Sequence, residues 1–408
     1  MEKNVNLTEG KTRKRKASDE AQTFPHLALD ELNEDLLEKI LSCLPASSFF
    51  RLRSVCKRWS SVSASTTFRI ACSQIPFRDP WFLMVDQDLD HSIILDISER
   101  NWKNLNKPRC FNQINQASWI AVASSGGLVC FRSTTGEFMA CNPLTGTCRE
   151  VPPAHETQPL LAIAMSSSQK NSSSYRIVLV AGELPNLCYR VFDSEKNKWE
   201  GEVSLYRKAE SSPETELAGG DTVYFLNKSG DVVATNMQRN PSRQFLAVMS
   251  IKDGEDIAYF LSHSGSVIAC NITRRTFHEY PRLLPVCYEY SIDVVICNKE
   301  MAVVVLSEFF ETASLRLWRF SEVERAWKQV AAMPPAMSHE LYGKKADINC
   351  VGCGNMIFVC INSNDFSRYV IYNVVTNEWL ELPKCIVDGK AKDFMSVFSF
   401  EPRLEASV

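Results

Sequence analysis

The chain has no run of 18 apolar residues, so it offers no membrane-spanning helix. Its first residues lack an apolar core, so no signal peptide is expected. A net charge of −3 over 408 residues gives no overall field of the kind nucleic-acid binders carry. Histidine is scarce: His26, His91, His155, His263, His278 and His339 are all there are, and none has metal-ligand spacing. No phosphate loop and no G-x-S-x-G elbow is present. Asp253, Glu255 and Asp256 read as a solvated turn. These absences argue against an enzyme, a metal centre or a bound cofactor, and against direct contact with nucleic acid or membrane.

Cysteine is plentiful at 15 residues, but the number is odd and the contexts are strand-like, as at Cys130, Cys297 and Cys360. They are expected to be reduced, buried thiols of an intracellular protein. The close pair Cys350 and Cys353 has no second C-x-x-C and no histidine at finger spacing, which disfavours a metal site. The one dense basic run, Lys11, Arg13, Lys14, Arg15 and Lys16, lies in an arm (residues 1–28) poor in apolar residues and expected to be disordered. It reads either as a solvated tail or as a nuclear-import address, which places the chain in the nucleus, the cytoplasm or both.

Residues 29–68, LDELNEDLLEKILSCLPASSFFRLRSVCKRWSSVSASTTF, differ from all that follows. Leu32, Leu36, Leu37, Ile40, Leu41 and Leu44 fall on one broad face of an amphipathic helix, with Glu34 and Asp35 in its first turn. Pro45 is expected to stop it. A second short helix, capped by Ser47 or Ser48, would carry Phe49, Phe50 and Leu52; a third would carry Val55, Cys56 and Trp59. Helices this short cannot cover Leu32, Leu36, Ile40, Leu44, Phe50 and Trp59 together. The surplus faces either a partner or the chain's own β-domain.

The pattern L-x3-L-L-x2-I-L-x2-L-P, followed by F-x-R-L-x2-V-C-K-R-W, closely resembles an F-box, the module that attaches substrate receptors to Skp1 in SCF ubiquitin ligases. The resemblance implies that Leu32, Leu36, Ile40, Leu44, Pro45, Phe50, Val55 and Trp59 form or support the Skp1-binding surface, with the module over residues 29–72. Asn33 departs from the family, which usually has proline there; Asp30 or Asn33 can cap the helix instead.

The rest of the chain reads as short strands with a repeated turn unit. Asp96, Asn142, Asp193, Asn271, Ser321 and Asn373 each end a strand, and six residues later stand Trp102, Cys148, Trp199, Phe277, Trp327 and Trp379. The polar residue closes a hairpin on its own backbone, and the aromatic opens the return strand between neighbouring sheets. Asn236 marks a looser seventh unit. Intervals of about 40–50 residues with several strands each indicate propeller blades. SGGLVCF, TVYFLN, DIAYFLS, AVVVLSE and MIFVCIN are expected as inner strands. Trp81 to Val85 and Asp393 to Phe400 are expected to share one blade and so close the ring. Residues 166–174 and 211–216 are expected to be disordered.

This repeat resembles kelch propellers, and the whole chain is similar to plant F-box/kelch-repeat proteins. The SSGGLVCF…CNPLTG block and the closing FSFEPRLEA are similar to the Unusual Floral Organs and Hawaiian Skirt group. The Tyr/His/Cys cluster of the kelch copper oxidase has no counterpart here. The resemblance implies a small all-α F-box followed, over residues 78–404, by an all-β kelch-type β-propeller of seven blades, or of six. The function it implies is that of a non-catalytic substrate receptor. The F-box would bind a Skp1-like protein, and through it a cullin–RING assembly; the propeller would hold an unknown protein for ubiquitination and degradation. The alternative is a non-degradative nuclear adaptor or transcriptional cofactor that binds a DNA-binding protein. Arg239, Arg243, Arg274, Arg275, Lys344 and Lys345 either favour an acidic partner or are inert turn residues.

Overall fold

The computed structural model describes residues 32–86, 93–105, 118–154, 158–167, 174–208, 224–226, 232–234, 245–262, 265–283, 290–309, 311–363 and 365–408. The expectations for residues 1–28 and 211–216, and for Asp30, Arg239, Arg243 and the turn at Asn236, lie outside the described residues. Of the serine-rich stretch 166–174, Ser166 and Ser167 end a strand.

Four helices open the described chain: α1 (Glu34–Ser42), α2 (Ala46–Leu52), α3 (Lys57–Val62) and α4 (Thr66–Ser73). Asn33 caps α1, its Oδ1 accepting the Asp35 N–H at 3.3 Å, so the asparagine does the work of the missing proline. Three expectations are corrected. α1 ends at Ser42, and Pro45 instead stands at the N-cap of α2; Ser47 is therefore inside that helix. Val55 lies in the turn before α3, and Cys56 is its N-cap. A fourth helix follows, capped by the Ser65 hydroxyl on the Phe68 N–H. Its Phe68 stacks on Phe49 at 5.0 Å, and with Leu37, Leu41, Val62 and Cys72 they form a small common core.

Among the described residues the β-body holds four four-stranded antiparallel sheets, two two-stranded hairpins and one nine-stranded sheet, which a parallel pairing divides into two antiparallel halves, numbered 3 and 4 below. Sheet 1 orders Phe394–Phe400, Trp81–Asp86, Ile93–Asp96 and Asn101–Asn104; sheet 2 is Trp119–Ser125, Leu128–Ser133, Phe138–Asn142 and Thr147–Val151. Sheet 3 is Leu160–Ser167, Tyr175–Glu183, Asn186–Asp193 and Val203–Arg207, with Lys198–Trp199 also on its third strand; sheet 4 is Ala247–Lys252, Glu255–Leu261, Val267–Asn271 and Thr276–Glu279. Sheet 5 is Tyr290–Cys297, Glu300–Phe309, Thr312–Ser321 and Ala326–Ala332; sheet 6 is Asp347–Cys353, Met356–Asn362, Ser367–Asn373 and Glu378–Glu381. The two ends of the β-body do pair, Trp81 opposite Phe400 and Leu83 opposite Phe398.

Each sheet's first strand lies against the first strand of the next, and that of sheet 6 lies against that of sheet 1. Every consecutive pair shares a core. Trp81, Leu83, Phe131 and Cys141 join sheets 1 and 2, and Cys130, Phe138, Tyr175 and Phe192 join 2 and 3. Val178, Tyr189, Ala258 and Phe277 join 3 and 4. Tyr259, Val267, Val303 and Val305 join 4 and 5. Val304, Leu315, Val359 and Val370 join 5 and 6, and Phe358, Tyr369, Phe82 and Leu95 return to sheet 1. Sheets 3 and 4 touch directly, through the bridge of Ile163 to Leu246 and the parallel pairing of Tyr206 with Thr276. The two-stranded hairpin Tyr224–Leu226/Val232–Ala234, from the seventh expected unit, belongs to neither.

GGLVCF, DIAYFLS, AVVVLSE and MIFVCIN form second strands, not the expected inner ones. Their unbroken apolar runs suit strands covered on both faces. The first strands, nearest the axis, carry polar side chains that bond across to the next strand's backbone. Asp293 Oδ2 accepts the Cys350 N–H, Ser291 Oγ the Ile348 N–H at 3.1 Å, and Asn349 Oδ1 the Val397 N–H at 3.3 Å. Buried edge groups are thereby satisfied where no ladder runs.

All six expected turn units form, each joining a third strand to a fourth. Side-chain oxygens accept backbone N–H bonds from Ser98 to Asp96 at 3.0 Å, Leu144 to Asn142 at 2.9 Å and Glu195 to Asp193 at 2.9 Å. The same bonds run from Arg274 to Asn271 at 2.8 Å, Glu324 to Ser321 at 3.3 Å and Val375 to Asn373 at 2.9 Å. Four places after each slot the backbone turns left-handed, at Arg100, Gly146, Asn197, Arg275, Arg325 and Asn377 (φ 49° to 71°). Only one of the six is glycine, so this half of the motif leaves no composition signal. The aromatic at the sixth place leans on the preceding sheet. Trp102, Trp199 and Trp327 donate their indole N–H to the carbonyls of Pro383, Pro152 and Pro281, at 3.1, 2.7 and 2.7 Å. Each proline follows the preceding sheet's last strand, where it ends the ladder and leaves its carbonyl available.

Candidate docking surface and the junction of helices and β-body

The helical module divides its apolar residues between two surfaces. Leu37, one place from Leu36, is 1% exposed, whereas Leu36 and Ile40 are 54% and 49% exposed on one face of α1, and Val55 is 67% exposed. Pro45 is also exposed; Leu32, Leu44, Phe50 and Trp59 are half-buried. The i, i+4 spacing puts Leu36 and Ile40 side by side, forming an apolar stripe that is about half exposed among the described residues. Leu44 and Trp59 instead lean on the helical core, and Phe50 on the core of sheets 1 and 2. Of the eight expected residues, four are exposed, Leu44, Trp59 and Phe50 pack partly on the two cores, and Leu32 is half-buried.

The module is fastened to the β-body at two places. At the first, Ser47 of α2 donates its hydroxyl to Asp96 Oδ2, and Lys103 Nζ reaches the same oxygen at 2.6 Å. Burial raises the Asp96 carboxyl's pKa, but hydrogen bonds from Lys103, Ser47 and Ser98, with the Lys103 charge, outweigh it and hold the group below its ordinary value. Lys103 also pairs with Glu99 at 2.7 Å, and Glu99 with Arg51 of α2 at 2.6 Å. A cleft of about 810 Å³ opens beside this cluster, with Phe50, Trp81, Lys103 and Leu144 among its walls. Its two cations already face carboxylates.

At the second, the final residues run back beneath the helices. Leu404 joins the helical core, and Ala406 the core of sheets 2 and 3. Asn142 Nδ2 donates to the carbonyls of Arg403 and Ala406 at 2.9 and 2.8 Å. Arg403 donates from Nη1 to the Ile75 carbonyl at 3.1 Å and from Nη2 to that of Pro76 at 3.2 Å, just past α4. Glu401 and Glu405 hold the same guanidinium. Arg78 adds bonds to the carbonyls of Ser42 and Leu44, at 2.9 and 3.1 Å. The sequence leaves packing of the helices on the β-domain open as an alternative, but its spacing does not identify these bonds, whose partners are separated by as many as 328 residues. The one signal in the chain was EPRLEA itself, a charged and proline-bearing stretch after the last strand.

The other expectations fare unevenly. Arg274 is tied to Glu255, and Lys344 lies 3.7 Å from Asp365; Arg275 and Lys345 hold left-handed turn positions. Cys130, Cys297 and Cys360 are buried, and burial pushes the thiol of Cys130 up to about 12 and that of Cys297 to about 11. Cys43 and Cys56 are exposed, and Cys148 is disulfide-bonded; the reading of every cysteine as a buried thiol is corrected there. Cys148 is half-buried on an outermost strand, at the margin of the core of sheets 1 and 2. Cys350 and Cys353 share one strand with odd spacing, so their side chains leave opposite faces. No helix among the described residues is long and apolar enough to cross a membrane.

The F-box domain family matches residues 29–71. F-box only protein 13 of Arabidopsis thaliana is 47% identical over 420 aligned positions, spanning 99% of this chain and 92% of that protein. Protein UNUSUAL FLORAL ORGANS of Arabidopsis thaliana is 25% identical over 88% of this chain and 79% of its own length. An F-box/kelch-repeat protein of Arabidopsis thaliana is 31% identical over 45% of this chain and 49% of its own length. Among solved structures, TolB from Acinetobacter baumannii superposes with a TM-score of 0.42 at 9% identity, over 84% of this chain and 72% of that one. With a helical module that matches the F-box domain, and a relative 47% identical along nearly its whole length, the chain belongs to the plant F-box proteins.

Proposed function

We propose that this protein is the substrate-recognition subunit of an SCF-type ubiquitin ligase. The observation that carries the reading is the exposed apolar stripe of Leu36 and Ile40 on α1, with Val55 and Pro45 also exposed and Leu32, Leu44, Phe50 and Trp59 half-buried. It fits a Skp1-like protein, and through it a cullin–RING assembly. The β-body, read as a six-bladed kelch-type propeller, holds a protein whose lysines receive ubiquitin from a recruited E2. Six blades are favoured over seven because sheets 3 and 4 touch directly and leave no gap for another. The receptor's contribution is proximity: it turns a bimolecular encounter into an effectively intramolecular one.

The test is a binding measurement with a purified Skp1-like protein. Leu36→Asp should abolish binding while the melting curve stays in place, because Leu36 touches solvent. Leu37→Asp should unfold the helical module. Skp1 binding that survives the combined Leu36→Asp and Ile40→Asp changes would overturn the docking reading.

A further inference from the structure

The Arg403 guanidinium makes five close contacts with four acceptor oxygens around it. Nε faces Glu401 Oε2 at 2.7 Å; Nη1 faces Glu405 Oε1 at 3.0 Å and the Ile75 carbonyl at 3.1 Å; Nη2 faces Glu401 Oε2 at 2.6 Å and the Pro76 carbonyl at 3.2 Å. The acceptors belong to two bodies. Ile75 and Pro76 end the helical module, whereas Glu401 and Glu405 extend from the ring-closing strand. The backbone on either side of this node is held by sheet 2: Asn142 Nδ2 takes the carbonyls of Arg403 and Ala406, and the Glu401 N–H donates to the Gly126 carbonyl at 2.6 Å. Leu404, between them, enters the helical core.

We propose that Arg403 is a positioning residue. With Asn142 behind it, it fixes the orientation of the F-box on the propeller, and so the place at which a protein held by the propeller meets whatever the F-box docks. The proposal rests on the reading of the helices as the docking unit and the propeller as the grip. Its physical basis is that of any tethered pair: effective concentration is high only when the two sites are held at a matching separation. A planar five-donor fork can satisfy two carbonyls and two carboxylates together; an ammonium, with three donors and no fork, cannot.

The experiment uses the full chain as wild type, Arg403→Ala, Arg403→Lys, Asn142→Ala and the double variant Asn142→Ala/Arg403→Ala. Amide hydrogen exchange is read over residues 66–77 and, as the control, over Trp119–Ser125, with small-angle scattering alongside. Arg403→Ala should speed exchange over 66–77 at least tenfold, enlarge the radius of gyration and leave the control strand unchanged. Arg403→Lys should resemble Ala more than wild type. The Asn142→Ala and Arg403→Ala effects should be less than additive, because both loosen one node. Unchanged exchange over 66–77, or an equal rise in the control strand, would overturn the proposal. The measurement needs no partner: a wild-type chain that fails to bind a Skp1-like protein would sink the docking reading and leave the exchange result standing.

Discussion

Asp96 and Asn142 occupy the same turn position in neighbouring sheets, and each works in two directions at once. Both are fully buried. With Oδ1 each closes its own hairpin, as the equivalent residues of the other four sheets do with theirs. With its second polar atom Asp96 takes Ser47 of the F-box, and Asn142 holds the tail that carries Arg403. The two sheets that bear the helical module have thus turned a repeat residue into an anchor.

Asp96 should make stability depend on acid. Its folded pKa lies below the ordinary value of 3.8, so its contribution is complete above that pH and is lost as pH falls through the folded value. Urea melts of wild type and Asp96→Asn should converge as pH drops below about 3.8. Lys103→Met should cost about 3–5 kcal/mol near neutral pH by leaving a buried carboxylate unpaired, and its stability should fall as pH rises. A pH profile for Lys103→Met parallel to that of wild type would refute the ion-pair account.

Gly352 should tolerate no side chain. A Cβ there would sit 2.8 Å from the Ile296 carbonyl carbon, with only backbone to give way between the inner strands of sheets 5 and 6. Gly352→Ala should destabilise the protein by about 1–3 kcal/mol in thermal or urea unfolding. A loss under about 0.5 kcal/mol would mean that the inner strands are not so closely set.

The tryptophans should separate into two groups. Trp102→Phe, Trp199→Phe and Trp327→Phe each orphan a proline carbonyl and should each cost about 1 kcal/mol beyond the packing change. The buried Trp379 indole N–H has no acceptor among the described residues, so Trp379→Phe should be nearly neutral or stabilising. Four equal losses would show that the indole bonds do not contribute.

The left-handed turn positions should respond in opposite senses. Gly146→Ala should cost about 1 kcal/mol, and Arg325→Gly should gain up to a similar amount, because a Cβ at positive φ crowds the following carbonyl. Differential scanning calorimetry of the two variants checks the signs.

How far the sequence reached can be seen residue by residue. Leucine periodicity in α1, the six turn slots and the joining of Trp81–Asp86 to Phe394–Phe400 were all legible, because each rests on local spacing or on the need to close a sheet edge. The start of α2 at Ala46, the helix after Ser65 and the choice of inner strands were not. Helical propensity does not distinguish Pro45 as a stop from Pro45 as a cap, and apolar content points to the twice-covered second strands, not to the polar ones at the axis.

By itself, then, the sequence determined the two-part architecture, the repeat and the module's family, all of which are written in the helical period of about 3.6 residues or in intervals of about 40–50. The tertiary structure alone decided which apolar residues of the F-box remain bare, and that its core is completed from the far end of the chain. The reason is distance along the backbone. Leu404 meets the helical core, and Arg403 meets Ile75 and Pro76, only after the ring has closed and brought its last strand beside its first; no local pattern encodes a contact that closure itself creates.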